Sequence, residues 1–345
     1  MSSPALGRRD LALLVLAAGA VLATYSAALG VRLPGSADLG WMLAVNGPRL
    51  LLAAAVGAGL GVSAVVAQAS SPSSLREAYT LAVSFGGAFG GTRALDLGLL
   101  GPAPDFLLGA GVGAMLFAGV VGLLARVPAL SGVLVGIAMF AMGILALLAA
   151  VAAKGDAWGV RPVVWWALGD FSRAGWEGSG LSAASITAIA AALLVRAGPG
   201  AMWGELEGPR RRELVVLGAV LWGVSIGAGG VIAWFGLMVA LAARRLLSHQ
   251  ALRPWLALAA LLGALAMMGV DVGPRYLVGG YAFPVGPTVA MLAVPWFLAW
   301  GRLGRLPRSR RAALAVRGAD FAAAVVVAGV VGGFVGVLTL IVRAL

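Results

Sequence analysis

The chain contains 345 residues, of which 61% are hydrophobic and only 11% are charged, and its formal net charge is +12. This composition excludes a water-soluble domain, because a chain of this length could not hide so much apolar surface from water. It contains no cysteine, which excludes disulfides, thiolate metal sites and cysteine nucleophiles. Runs of about twenty apolar residues recur along the chain, as a hydrocarbon core about 30 Å thick requires. The sequence therefore predicts an all-α fold, a polytopic transmembrane helical bundle.

Six apolar runs make up the first part of the chain. They are Leu11–Val31, Leu50–Ala69, Ala78–Gly91, Phe106–Ala125, Leu130–Ala153 and Leu181–Val195. The first run follows Arg8 and Arg9, which predicts a retained helix with a cytoplasmic N-terminus. The alternative is a signal peptide that is cleaved near Ser26.

A polar stretch from Lys154 to Ser179 separates the fifth and sixth spans. It contains four tryptophans, Trp158, Trp165, Trp166 and Trp176. Indole rings favour the membrane interface, because the ring is apolar while its N–H stays hydrated. The pattern predicts an interfacial belt of aromatic residues, and stacking against a substrate is the alternative.

The loop from Ala197 to Glu213 is the most charged interruption between apolar runs. It combines three acidic residues with the consecutive arginines Arg210–Arg212, and glycine and proline punctuate it. Any helix inside such a loop is expected to be short. A charged loop in so hydrophobic a chain predicts a contact surface for a soluble partner.

Five further runs complete the chain. They are Leu214–Ile232, Trp234–Ala243, Trp255–Val270, Val285–Trp300 and Phe321–Val342. The second of these is too short for an ordinary span and predicts a short or partly re-entrant helix. With the N-terminus inside, seventeen of the twenty-five basic residues fall on the inner side. Because cytoplasmic loops accumulate Lys and Arg, this asymmetry places Ala197–Glu213 in the cytoplasm and explains the positive charge without a nucleic-acid partner.

Glycines recur four residues apart inside the predicted spans. The pairs are Gly57 and Gly61, Gly86 and Gly90, Gly87 and Gly91, Gly109 and Gly113, and Gly332 and Gly336. Lipid offers no hydrophobic drive for helix association, so small residues at this spacing predict close contacts between helix backbones.

Ionisable residues are almost absent from the predicted spans. Asp271 and Arg275 lie at the outer end of the ninth span, four residues apart, where they can pair along one helical face. Arg49 lies at the predicted outer start of the second span. A carboxylate buried near mid-membrane would favour an ion-coupled secondary transporter, and none is evident.

No catalytic group, metal site or cofactor site is predicted. The single lysine, Lys154, is followed by Gly155, so the chain lacks the lysine and Ser/Thr pair of a phosphate-binding loop. If transport through this chain uses ATP, another subunit must hydrolyse it.

Seven short segments follow one another in a characteristic order between residues 10 and 303. They are Asn46–Gln68, Leu81–Ala88, Leu134–Ala138, Trp166–Trp176, Ala233–Arg244, Val270–Arg275 and Phe283–Phe297. Their order and spacing resemble those of the FecCD-type, BtuC-like permeases of type II ABC importers, which carry iron–siderophores, haem and vitamin B12. The chain departs from that pattern at Asn46, where the family has an arginine, and at Met202–Pro209, where the family has its cytoplasmic coupling segment.

The resemblance implies a permease subunit that is not itself an enzyme and that forms half of a pathway for a bulky chelate. The implied partners are cytoplasmic ABC ATPase subunits, a second permease subunit that is a copy or a related chain, and an extracytoplasmic substrate-binding protein. The implied location is the inner membrane of a bacterial or archaeal cell, where the chain passes several times through the lipid. A secondary transporter and a non-transporting membrane scaffold are the alternatives.

The resemblance also implies roles for particular residues. Docking of the binding protein falls to Arg49 and Arg275, and ATPase coupling falls to Trp203, Glu205, Leu206, Glu207 and Arg210. Lining of the pathway falls to Ser63, Gln68, Ser131, Met139 and Met142. The alternatives are that the loop charges only set topology, that Arg275 only pairs with Asp271, and that the lining residues pack between helices.

The resemblance also divides the chain into two parts. Residues 1–303 form a FecCD-like transmembrane permease domain with about ten spans. Residues 304–345 form a basic cytoplasmic loop and an additional C-terminal transmembrane helix, which the family usually lacks.

Overall fold

The computed structural model describes residues 8–29, 39–69, 83–91, 94, 100, 102–124, 165–166, 168–172, 174–198, 208–247, 251–277 and 284–303. Its helices are α1 (Arg8–Leu29), α2 (Leu39–Ala69), α3 (83–91), α4 (Pro102–Leu124), α5 (Trp176–Ala197), α6 (Gly208–Gly229), α7 (Phe235–Leu246), α8 (Leu252–Leu277) and α9 (Val285–Leu303). The predicted helical membrane bundle is confirmed. The fifth predicted span, Leu130–Ala153, and the C-terminal run, Phe321–Val342, lie outside the described residues.

Four of the described helices, α2, α5, α6 and α8, are long and apolar enough to cross a membrane. Shorter apolar segments lie in α1, α4 and α9. The short helix predicted at Trp234–Ala243 is confirmed as α7, which contains 12 residues. The chain is therefore a multi-pass membrane protein with helices of unequal length.

Helix α2 lies at the centre of the described bundle. It packs against α1, α5, α6, α7 and α8, and its side chains at Leu50, Val56 and Leu60 are almost completely buried. A helix that is largely apolar around its circumference suits this position, because 72% of its apolar window is buried against other parts of the bundle.

The start of α2 differs from the prediction, which placed it at Leu50. The helix begins at Leu39 and runs through Pro48. Asn46 and Arg49 are buried at 4% and 6% exposure, inside the bundle and not in a loop outside it. The hydropathy pattern missed these first turns of α2 because polar residues and proline can continue a membrane helix where neighbouring helices satisfy the polar groups.

Glycines bring α2 and α8 into backbone contact. A Cβ added to Gly57 would overlap the carbonyl oxygen of Gly263, and one added to Gly263 would overlap that of Gly57. One turn further along α2, a Cβ on Gly61 would lie 2.6 Å from the carbonyl oxygen of Ala259. The predicted role of the Gly57 and Gly61 spacing in close helix packing is confirmed.

A second glycine contact joins α3 and α4. Gly86 meets Gly113, and Gly90 meets Gly109, each so closely that a Cβ on either partner would collide with the backbone opposite. The predicted role of these two glycine pairs in helix packing is likewise confirmed.

The backbone breaks between α6 and α7. Helix α6 ends at Gly229, not at the predicted Ile232, and Gly230 follows in the left-handed region at φ +83°. Trp234, which precedes α7, also has a positive φ of 68°, a conformation that a bulky residue rarely adopts. The irregular residues 230–234 thus separate a long helix from a short one.

Candidate functional site

A buried ion pair connects α2 to α8. The Nε atom of Arg49 donates to the two carboxylate oxygens of Asp271 at 2.8 and 3.0 Å, and its Nη2 atom also donates to Oδ1. The side chains are 7% and 0% exposed. Asp271 thus reaches across to α2 and does not pair only along its own helix, α8.

This pair has a large energetic consequence if either partner is lost. A buried ion pair contributes little net stability, because desolvating both charges offsets their attraction. Removing one partner is costly, since it leaves the other charge buried and uncompensated. The pair therefore joins α2 to α8, and loss of either charge alone is expected to weaken that contact.

The same geometry bears on the predicted docking arginines. The Nε and Nη2 atoms of Arg49 already donate to Asp271, so these bonds must break before the same donors can bind an outside partner. The side chain of Arg275 lies outside the described residues. The docking roles of both arginines stay predictions.

A second charged junction lies at the C-terminal end of α5. Arg210, in the first turn of α6, donates from Nε to the carbonyl oxygen of Arg196 at 3.1 Å and from Nη2 to that of Ala197. Arg253, at the start of α8, donates from Nε to the carbonyl oxygen of Leu194 at 2.8 Å. We call the two arginines and these three carbonyl groups the arginine clasp.

An exposed ion pair lies beside the clasp. Arg196 Nη1 lies 3.1 Å from Glu213 Oε2, and the two side chains are 62% and 51% exposed. Water screens a pair this exposed, so it adds little stability.

Arg210 is the one described member of the predicted coupling set. The side chains of Trp203, Glu205, Leu206 and Glu207 lie outside the described residues. Their coupling roles, and that of Arg210, stay predictions.

Trp166 contacts both α6 and α4. Its indole Nε1 donates to the carbonyl oxygen of Gly227 at 2.9 Å, and its ring meets Phe106 edge to face at 5.1 Å between centroids. By contrast, Trp176 is 50% exposed, as a residue of the predicted interfacial belt would be.

The turn after Trp166 is bound to the start of α9. The backbone N–H groups of Val285 and Gly286 donate to the carbonyl oxygens of Gly169 and Leu168, at 3.0 and 2.9 Å. Gly169 has φ +77°, so glycine is favoured there by backbone conformation. The turn therefore ties the end of α6, through Trp166, to the beginning of α9.

Two of the predicted pathway residues lie in α2. Ser63 is 2% exposed, and its hydroxyl donates to the carbonyl oxygen of Gly59 at 2.7 Å. Gln68 is 5% exposed, and neither Nε2 nor Oε1 of its side-chain amide has a hydrogen-bond partner among the residues that the structure describes. The other three, Ser131, Met139 and Met142, lie outside the described residues, and the lining role of all five stays a prediction.

Sequence reasoning missed two contributors to these junctions. By its place in the sequence Arg253 is one of the inside charges, although arginine near a helix terminus often binds the last carbonyl groups of a helix. Gly263 has no glycine four residues away, so the four-residue spacing does not indicate it. The sequence contains no local signal that would have joined Arg253 to α5 or Gly263 to Gly57.

Comparison with known proteins identifies the family. The model of the FecCD transport family matches residues 11–199 and 209–301. The vitamin B12 import system permease protein BtuC of Vibrio cholerae is 30% identical over 267 residues, which cover 73% of this chain and 79% of that protein. The protein of the same name from Salmonella typhimurium is 31% identical, with 73% and 80% covered.

A solved structure has the same fold. It is described as an inward-facing conformation of a metal-chelate type ABC transporter, and it superposes with a TM-score of 0.70 at 24% identity. The superposition covers 86% of this chain and 100% of that chain. The family resemblance expected from the seven segments is thereby confirmed, and the chain belongs to the FecCD transport family of membrane permeases.

Proposed function

We propose that the chain is the permease subunit of an ATP-driven importer and forms half of a translocation pathway for a bulky chelate. The observation that carries this proposal is the FecCD match on both sides of a single interruption at residues 200–208. The match covers the helical bundle, and the interruption falls in the charged loop to which the family resemblance gives the ATPase-coupling role. The chain therefore matches the family in its membrane helices and departs from it in the loop between α5 and α6.

The proposed cargo is an iron–siderophore, haem or corrinoid that a substrate-binding protein delivers. Two relatives are named for vitamin B12 import, and the solved neighbour is described as a metal-chelate type transporter. The predicted lining residues, from Ser63 and Gln68 on α2 to Ser131, Met139 and Met142, carry no formal charge. Such a lining suits a pathway that lets a large ligand pass without holding it.

The proposed complex contains two permease subunits, two cytoplasmic ATPase subunits and the binding protein. In this arrangement the N-terminus and the loop after α5 face the cytoplasm, as the distribution of arginines predicts. Trp203, Glu205, Leu206, Glu207 and Arg210 would contact the ATPase. On the opposite side, Arg275 and, once released from Asp271, Arg49 would meet the binding protein.

One observation favours a second candidate function, a secondary transporter. Asp271 is a buried carboxylate within a membrane helix, of the kind that ion-coupled transporters use. Arg49 already compensates its charge, which speaks against a carboxylate that takes up and releases a coupling ion. Uptake that stops when the proton gradient is dissipated, while cellular ATP is kept constant, would favour this second candidate.

Affinity purification tests the proposal directly. The tagged chain, isolated from its native membrane, should bring with it a subunit that has a phosphate-binding loop. Vitamin B12 and ferric siderophores are then the probes for uptake into cells that lack their own importers. A purified chain that is accompanied by no ATPase would contradict the proposal.

Deletion of the loop segment Met202–Gly208 tests the coupling assignment. We expect the deletion to abolish the stimulation of ATP hydrolysis by the permease, while the helices still insert into the membrane. Replacement of the same segment by a glycine–serine linker of equal length controls for the shorter connection between α5 and α6. Stimulation that survives both changes would contradict the assignment.

A further inference from the structure

The C-terminal end of α5 is where three helices meet, and hydrogen bonds hold it from two sides. The last carbonyl groups of a helix lack partners within the helix and carry its partial negative charge. In α5, the carbonyl groups of Leu194, Arg196 and Ala197 are bound by guanidinium groups that come from α6 and α8. Charged donors make the stronger kind of hydrogen bond, and a guanidinium can bind two carbonyl oxygens at once.

The residue after α5 leaves space for this contact. Gly198 has φ +63°, and a Cβ added there would overlap the Nη2 atom of Arg210. Any side chain at this position would therefore displace the guanidinium from the carbonyl groups. The chain thus contains a second position from which the clasp can be opened without removing a charge.

Near the clasp, each of the three helices contributes a buried leucine to the core. Leu193 of α5, Leu214 of α6 and Leu252 of α8 are each 0% exposed and belong to one buried apolar cluster. Further along α8, Gly263 is in backbone contact with Gly57 of α2. The end of α5 is therefore connected through close contacts to the central helix.

We propose that the arginine clasp transmits a displacement of the loop between α5 and α6 to α5, α6 and α8 as a single unit. The inference rests on the proposed function, in which the ATPase moves this loop. Arg210 and Arg253 are positioning residues in this account, because they act on the helices and not on the cargo. Without the clasp, the loop would move while the end of α5 stays behind.

Distance measurements in the complete complex test the inference. The chain has no cysteine, so Ala191→Cys on α5 and Met291→Cys on α9 introduce two labelling sites at exposed positions. Nitroxide labels at these positions, in lipid nanodiscs, report the distance from α5 to α9 with and without ATP and vanadate. Only one permease subunit of the complex carries the two labels, and all other subunits are free of cysteine. We expect the nucleotide to shift this distance in the parent protein.

Five variants distinguish the clasp from the predicted ATPase contact and from simple charge or folding effects. Arg253→Ala opens the clasp from α8, outside the predicted ATPase contact, and should abolish the shift. Arg210→Ala and Gly198→Ala should also abolish it, and combining these two should have no further effect, because they remove the same contact. Arg210→Lys keeps the charge but not the two-pronged geometry, so it should retain part of the shift. Arg212→Ala removes the same charge from the next turn of α6 without touching the clasp, and should leave the shift intact.

The melting temperature of each complex is measured alongside the distance. A variant that loses the nucleotide-induced change in distance but keeps its melting temperature supports transmission through the clasp. If the clasp had only a structural role, the variants would melt at lower temperatures and still show the change in distance. A shift that persists in Arg210→Ala and Gly198→Ala, or that is equally lost in Arg212→Ala, overturns the inference. A parent complex that hydrolyses ATP without any shift in the distance also overturns the inference, but it leaves the proposed function standing. Failure to isolate an ATPase with the chain contradicts the proposed function itself.

Discussion

Arg49 of α2 and Asp271 of α8 form a buried, multiply hydrogen-bonded ion pair between residues 222 positions apart in the sequence. Both residues fall in segments that resemble the docking motifs of FecCD permeases. In this chain, the arginine at the first of those segments is engaged by the protein's own carboxylate. The predicted docking role and the observed helix contact therefore concern the same side chain, which makes the pair the first target for mutation.

Removal of one member of this pair should destabilise the protein strongly. We expect Arg49→Ala or Asp271→Ala to lower the free energy of unfolding by about 3–5 kcal/mol, because the remaining charge stays buried. Replacing both by apolar residues, as in Arg49→Met with Asp271→Leu, should cost much less. Thermal unfolding in detergent measures both effects.

The exposed pair of Arg196 and Glu213 is the matched control for that experiment. Arg196→Ala should change the unfolding free energy by no more than about 1 kcal/mol, since water screens the pair. If Arg49→Ala were as mild as Arg196→Ala, the buried pair would not hold α2 to α8 as described.

Replacing Gly263 by any residue with a side chain should destabilise the protein. We expect Gly263→Ala to destabilise the protein by about 1–3 kcal/mol, because the added Cβ meets the backbone of Gly57 and one helix must move. In Gly269→Ala, on the same helix, the added Cβ meets no atom of the described residues within 4 Å, so the change should be neutral or stabilising by about 0.5–1 kcal/mol. The melting temperatures of the two variants measure these changes in stability. Equal melting temperatures would contradict the close contact of α2 and α8.

The indole N–H of Trp166 should contribute measurably to stability. Trp166→Phe removes the hydrogen bond to Gly227, so we expect a loss of about 1 kcal/mol in addition to any change in packing. Trp176→Phe alters an exposed indole and should have a smaller effect. Near-equal melting temperatures for the two variants would show that the bond to Gly227 is unimportant.

Docking of the binding protein should depend on Arg275. We expect Arg275→Glu to weaken docking and to make the remaining affinity less sensitive to salt, because exposed charge pairs are screened by ions. Surface-plasmon measurements at two salt concentrations give both values. Arg245→Glu, on the side predicted to face the cytoplasm, is the control, and an unchanged dissociation constant for Arg275→Glu would refute the docking role.

The sequence by itself determined the class of fold and several of the glycines that lie at close helix contacts. Apolar runs of sufficient length predict membrane helices because the thickness of the hydrocarbon layer sets a minimum length. Glycines four residues apart predict close packing because their effect is local to one helix face. Gly57 with Gly61, and Gly86 with Gly90, were predictable in this way.

Only the tertiary structure decided which helices meet and which charges pair. A membrane helix that is apolar on all sides gives no periodic signal for the face that meets a neighbour, so its rotation cannot be read from hydropathy. Arg49 therefore looked like an exposed residue at a helix start, and Arg253 looked like an inside charge. Their partners, Asp271 and the carbonyl group of Leu194, lie 222 and 59 residues away. Contacts at such separations depend on how whole helices pack, and that information resides in the folded bundle.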